Sequence, residues 1–141
     1  MGRAAVLGAG QLARLDAMIA ARARLAARYL EALPELELQA APADAVRNWQ
    51  TLGALLPDGT DAAARDAFVA ELRVRGVEAG RLSYALHRIG SLSRFALQAG
   101  YPVTDALVDR GMALPMHGAL TDAEQERVID AVHELLRGVA R

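Results

Sequence analysis

The sequence predicts an α/β (α+β) domain, a small sheet with helices packed on it and preceded by one long helix. Three observations carry this. Helix-like and strand-like segments alternate along the chain, the pattern that lays helices on a sheet. The longest periodic segment, residues 11–33, comes first and has the spacing of a helix. With 141 residues and 53% hydrophobic content, drawn mainly from Ala, Leu and Val, the chain can bury one core, and its Ala and Leu favour helix.

In the long helix Leu12, Leu15, Ile19, Ala26, Tyr29 and Leu33 recur at three- and four-residue steps and form one stripe. Arg14, Arg22, Arg24 and Arg28 lie off that stripe, and Pro34 ends the helix. Residues 36–39, Leu-Glu-Leu-Gln, alternate like a short strand with one buried face. A loop over 40–46 with Pro42 and Asp44 leads to residues 48–56, apolar enough for a central strand, which Pro57-Asp58-Gly59 closes with turn chemistry. Thr60 or Asp61 can cap a helix to about Arg75, with Phe68, Val69 and Leu72 inward and Gly76 as its left-handed exit.

Residues 77–84 read as extended, 91–98 as a short helix ended by Gly100, and 104–110 as another ended by Gly111. Residues 112–114 form a short buried strand. Thr121 and Glu124 make a capping box, in which each side chain satisfies the other residue's unpaired amide. The last helix then runs to about Arg137, burying Val128, Ile129, Val132 and Leu136, and Gly138 stops it.

Composition narrows the function. A net charge of −1 with interspersed signs gives no basic stripe, so no nucleic-acid partner is expected. The chain has no cysteine, which excludes disulfides and thiolate chemistry and fits a cytoplasmic protein. No apolar run reaches the ~18 residues of a membrane helix. The short apolar run at the start is followed by Asp16 and a continuing helical pattern, which argues against a signal peptide.

Several residues invite chemistry. Gly8-Ala9-Gly10-Gln11-Leu12-Ala13 fits the dinucleotide fingerprint G-x-G-x-x-A after an apolar Ala4-Ala5-Val6-Leu7, although the acid wanted ~20 residues on falls inside the long helix. The same residues also read as a glycine-weakened helix start. His117 follows Pro115 at a strand end, and His87 sits in the extended region; each serves a ligand or bonds locally. His133 falls off the apolar stripe of the last helix and is expected to face solvent. The three histidines lack ligand spacing, so no metal is expected. Ser83, Ser91 and Ser93 lack a nucleophile elbow. Asp122, Glu124 and Glu126 suit the dipole of a helix start. Arg81 and Arg88 flank Tyr84 and either hold an anion or are simply solvated.

Three blocks carry a resemblance to a known family: residues 11–33; Asn48-Trp49 with the helix of 68–76 and the extended residues after it; and residues 101–134, with Leu114-Pro115-Met116-His117 and the Thr121 helix start. Their order and wording resemble the C-terminal end of the DegT/DnrJ/StrS-type sugar aminotransferases, which use pyridoxal phosphate. The resemblance implies a small domain like that of fold-type I aminotransferases, with residues 1–33 as a connecting helix, 34–141 as the small domain and the large cofactor domain absent. It implies substrate-binding roles for Tyr84, His87 and His117. The family's extended segment often reads Tyr-Pro-Pro-Leu-His, against Tyr84-Ala85-Leu86-His87 here.

All sixteen basic side chains are arginine, and the family's Schiff-base step requires a lysine amine. This chain alone therefore supplies no catalytic residue and holds no cofactor. It is expected to line the cleft of a parent enzyme that transfers an amino group to a keto-sugar on a nucleotide carrier. Its expected partners are a large cofactor domain or subunit and a second copy, met through residues 7–29. A non-catalytic interaction module that kept the fold is the alternative, and a nucleotide-binding domain built on Gly8 to Ala13 a further one.

Overall fold

The computed structural model describes residues 3–39, 42, 44–95 and 100–139. The long helix is two helices, α1 (Arg3–Leu12) and α2 (Leu15–Ala32). Between them the ladder tightens: the Arg14 amide donates to the Gln11 carbonyl at 3.0 Å. Gly8 and Gly10 stand inside α1. The four-residue strand expected before them is helical, since an Ala/Leu run satisfies its own amides in a helix. The fingerprint therefore lacks its strand–turn–helix setting, and the nucleotide reading is not kept.

Four strands follow: β1 (Glu37–Leu38), β2 (Leu52–Leu55), β3 (Gly80–Arg81) and β4 (Gly111–Leu114). They form one antiparallel sheet in the order β1-β2-β4-β3. β2 is central as expected but shorter, because Trp49 takes a left-handed φ of 50° and breaks the extended run. Such a conformation is costly for a bulky side chain. The Asn48 side chain accepts from the Gln50 amide at 3.2 Å, and the Arg47 guanidinium lies 4.5 Å from the Trp49 ring centre.

The register places Leu52 opposite Leu114 and Ala54 opposite Met112, so these four share one sheet face. All are buried. Onto them pack Tyr29 of α2 and its C-cap Leu33, Phe68, Val69 and Leu72 of α3 (Ala62–Val74), and Val128, Ile129 and Val132 of α5 (Asp122–Val139). The second half of the long apolar stripe thus belongs to this core. Its first half does not: Leu12 is 70% and Leu15 44% exposed.

The expected caps are present. Asp61 accepts from the Ala64 amide at 2.8 Å, and Gly76 leaves α3 at φ 76°. The Thr121 amide donates to Glu124 Oε2 at 2.8 Å while the Glu124 amide donates to Thr121 Oγ1 at 3.2 Å. Gly138 does not stop α5, which continues to Val139; a glycine inside a helix costs only ~1 kcal/mol relative to alanine. His133 is half-buried rather than solvent-facing, with Nε2 2.9 Å from the Ala32 carbonyl. It satisfies a carbonyl that the end of α2 leaves unpaired. The helix expected over 91–98 is a 3-10 turn at Ser93–Phe95, and 96–99 lie outside the described residues, as do three positions of the 40–46 loop.

Candidate functional site

Leaving β3, the chain lays Leu82 across the sheet face opposite the core. A Cβ at Gly53 would stand 2.9 Å from Leu82 Cδ1, and one at Gly111 would stand 2.3 Å from the Leu107 carbonyl. A side chain at Gly53 would have to displace the Leu82 tip, and one at Gly111 would meet fixed backbone. The chain then runs outward along the sheet edge. Only Ala85 is buried in it; Tyr84, Leu86 and Phe95 are 68%, 65% and 68% exposed. Tyr84, Leu86 and Phe95, with His87 of a 3-10 turn at Leu86–Arg88, wall a cavity of about 390 Å³ whose other side is Thr104 of α4 (Pro102–Arg110) and Tyr101, the residue that precedes that helix.

The segment is held to α4 by charge and stacking. His87 stacks on Tyr101 with ring centres 4.5 Å apart, and its Nε2 lies 2.8 Å from Asp105 Oδ1. Arg88 Nη2 lies 2.6 Å from the same oxygen and donates to Asp109 Oδ2 at 3.0 Å. The Arg88 guanidinium keeps the Asp109 carboxyl below its ordinary range, and Asp109 in turn raises Arg88. Arg81 pairs with Asp66, whose carboxyl is lowered first by that hydrogen bond. Arg81 and Arg88 are therefore ion-paired while their side chains stay 49% and 41% exposed.

α4 itself is pinned by Arg65, which is 2% exposed. Its Nη1 donates to the Val108 carbonyl at 2.8 Å and the Gly111 carbonyl at 3.0 Å, and its Nε to Asp66 Oδ1 at 2.8 Å. This guanidinium caps the end of α4 where helix carbonyls lack partners.

Of the three residues expected to bind substrate, Tyr84 and His87 line the same cavity and His117 does not. His117 is exposed on the turn after β4 and lines a separate hollow of about 290 Å³ with Pro115, Glu124 and Arg127. That turn is anchored by Tyr29, whose hydroxyl donates to the Pro115 carbonyl at 3.2 Å and whose burial pushes the phenol above its ordinary pKa. Asp105, Tyr101 and Arg65 were not legible as site residues. Tyr101, Asp105 and Asp109 recur at four-residue steps, a spacing that puts them on one helix face and was a usable signal. Arg65 had none, since an arginine on an amphipathic helix reads as polar face.

The cavity offers aromatic faces, an imidazole and hydroxyl groups, which suit noncovalent holding of a polar ring. It offers no amine, and with no lysine in the chain the donor set does not fit a covalently held pyridoxal group. Among the described residues no cluster of His, Asp or Glu could hold a metal ion, and no helix is long and apolar enough to cross a membrane.

Comparison with known proteins places this architecture. The model of the DegT/DnrJ/EryC1/StrS aminotransferase family matches residues 3–133. A DegT DnrJ EryC1 StrS aminotransferase from Brucella abortus is 27% identical with a TM-score of 0.77, over 89% of this chain and 33% of that one. The aminotransferase TlmJ from Streptoalloteichus hindustanus is 27% identical with a TM-score of 0.80, over 95% and 36%. Spr1654 from Streptococcus pneumoniae in its PLP form, 20% identical with a TM-score of 0.86 over 94% and 35%, shows the shared fold. The chain thus spans about a third of the length of these relatives. A match that runs through both helices, the sheet and the capped last helix shows that the chain belongs to the DegT/DnrJ/EryC1/StrS aminotransferase family.

Proposed function

We propose that this chain acts as the C-terminal small domain of a pyridoxal-phosphate-dependent aminotransferase whose substrate is a keto-sugar on a nucleotide. In this reading it walls the substrate cleft through Tyr84 and His87, with His117 contributing from its own turn, and supplies no covalent chemistry. The observation that carries it is a family chain that spans a third of its relatives, lacks lysine and keeps an aromatic cavity with one oriented histidine. The cofactor belongs to a large domain or subunit outside this chain. That partner would cover Leu12 and Leu15, which nothing in the described residues covers. A second copy and a cytoplasmic setting complete the proposal.

Incubation of the purified chain with pyridoxal phosphate and borohydride tests the catalytic half. No side chain should acquire a pyridoxyl label, and no amino group should pass from glutamate to a keto-sugar nucleotide. A labelled side chain, with the N-terminal amine excluded by peptide mass, would overturn the reading. The alternative of a non-catalytic interaction module draws on the same exposed stripe. Binding of a sugar nucleotide beside Tyr84 and His87 separates the two.

A further inference from the structure

Tyr101, at the N-cap of α4, and Asp105, one turn into it, both engage His87, though the sequence separates Asp105 from it by eighteen positions. The histidine side chain is only 17% exposed, so few orientations are open to it. The stack on Tyr101, at an interplanar angle of 26°, sets the plane of the ring. Asp105 then decides which nitrogen carries the proton. Arg88 Nη2 lies 2.6 Å from the Asp105 oxygen that meets His87, and a guanidinium can only donate. Paired with Arg88, that oxygen is placed as an acceptor, which makes His87 Nε2, at 2.8 Å, the donor to it.

We propose that Asp105 is a positioning residue that holds the His87 ring with its Nε2–H toward the carboxylate, so that the one-proton form of the ring leaves Nδ1 as the acceptor it can offer a ligand in the cavity. This rests on the reading of the cavity as a substrate cleft and adds what the histidine would recognise there: a group with a hydrogen to donate, such as a sugar hydroxyl or an N–H. Asp109 takes no part in it. It shares Arg88 with Asp105 but is not bonded to His87. Tyr101 fixes the plane of the ring, and Asp105 fixes which nitrogen carries the proton.

Two-bond proton–nitrogen NMR correlation of the histidine rings in the purified chain, at a pH where each ring carries one proton, tests the assignment. His87 should show Nδ1 without a proton and Nε2 with one that exchanges slowly with water. In Asp105→Ala that proton signal should be lost, while Asp109→Ala should keep it. A wild-type His87 protonated on Nδ1, or an Asp105→Ala variant that keeps the slow Nε2 proton, overturns the proposal. So does loss of the signal in Asp109→Ala alone. Should a variant fail to fold, the wild-type spectrum still decides the tautomer. Titration with uridine diphosphate addresses the other question. Shifts at Tyr84, His87 and Tyr101 support the reading of the cleft; their absence, with the tautomer as stated, overturns that reading and leaves the role of Asp105 toward His87 intact.

Discussion

The guanidinium of Arg65, buried in the first turn of α3, donates to the Gly111 carbonyl at 3.0 Å and so ties that helix to the first residue of β4. The same nitrogen caps α4 at Val108. The helix that carries Asp105, Asp109 and Thr104 is therefore fixed from beneath by a side chain that never reaches the cavity.

Arg65→Met should be costly for that reason. It keeps much of the volume but leaves two carbonyls without their donor, for a loss of about 3 kcal/mol. Denaturant unfolding should show this loss, while the exposed neighbour Arg73→Met stays within about 0.5 kcal/mol of the parent. Equal midpoints for the two variants would mean that the burial of Arg65 is energetically idle.

The last helix offers a graded test. Thr121→Ala removes the capping box and should cost ~1 kcal/mol. Ile129→Ala opens a cavity where α5 meets the core and should cost ~2–5 kcal/mol. Unfolding midpoints in the reverse order would show that α5 is not docked as described.

Acid should weaken the fold in a way that can be assigned. The folded-state pKa values of Asp66, Asp109 and Glu124 are lowered, by Arg81, Arg88 and the Thr121 amide respectively. Each contribution is full above the unfolded pKa of about 4 and is lost as pH falls through the lower folded value. Unfolding midpoints should drop below about pH 4, and Asp109→Asn should drop less steeply. An equally steep fall in that variant would show that the Arg88 pair adds nothing to the acid response.

The uncovered half of the long stripe predicts self-association of the isolated chain through residues 7–29. Light scattering should report a species larger than a monomer, and Leu15→Glu should shift it toward the monomer without lowering the thermal midpoint. A monomeric parent, or a variant with unchanged mass, excludes this face as a self-association surface.

Features set by a few neighbouring residues were legible in the sequence. Thr121 with Glu124, Asp61 ahead of α3 and Gly76 behind it each solve a local problem of unpaired amides or left-handed backbone, and each stands where the spacing put it. The apolar periods also located the core faces of α3 and α5, and the order of blocks pointed to the family. The exceptions turn on contacts distant in the chain. His133 was expected in solvent because its helix position alone is polar, yet folding brings the end of α2 within 2.9 Å of its ring. Residues 11–33 carry one unbroken stripe, but the helix is interrupted at Ala13 and Arg14, and only its second half finds a core to enter. His87 was visible as a candidate and its partner was not. A hydrogen bond of one imidazole to one carboxylate depends on where β3 delivers the chain beside α4, and that geometry exists only once the sheet has assembled.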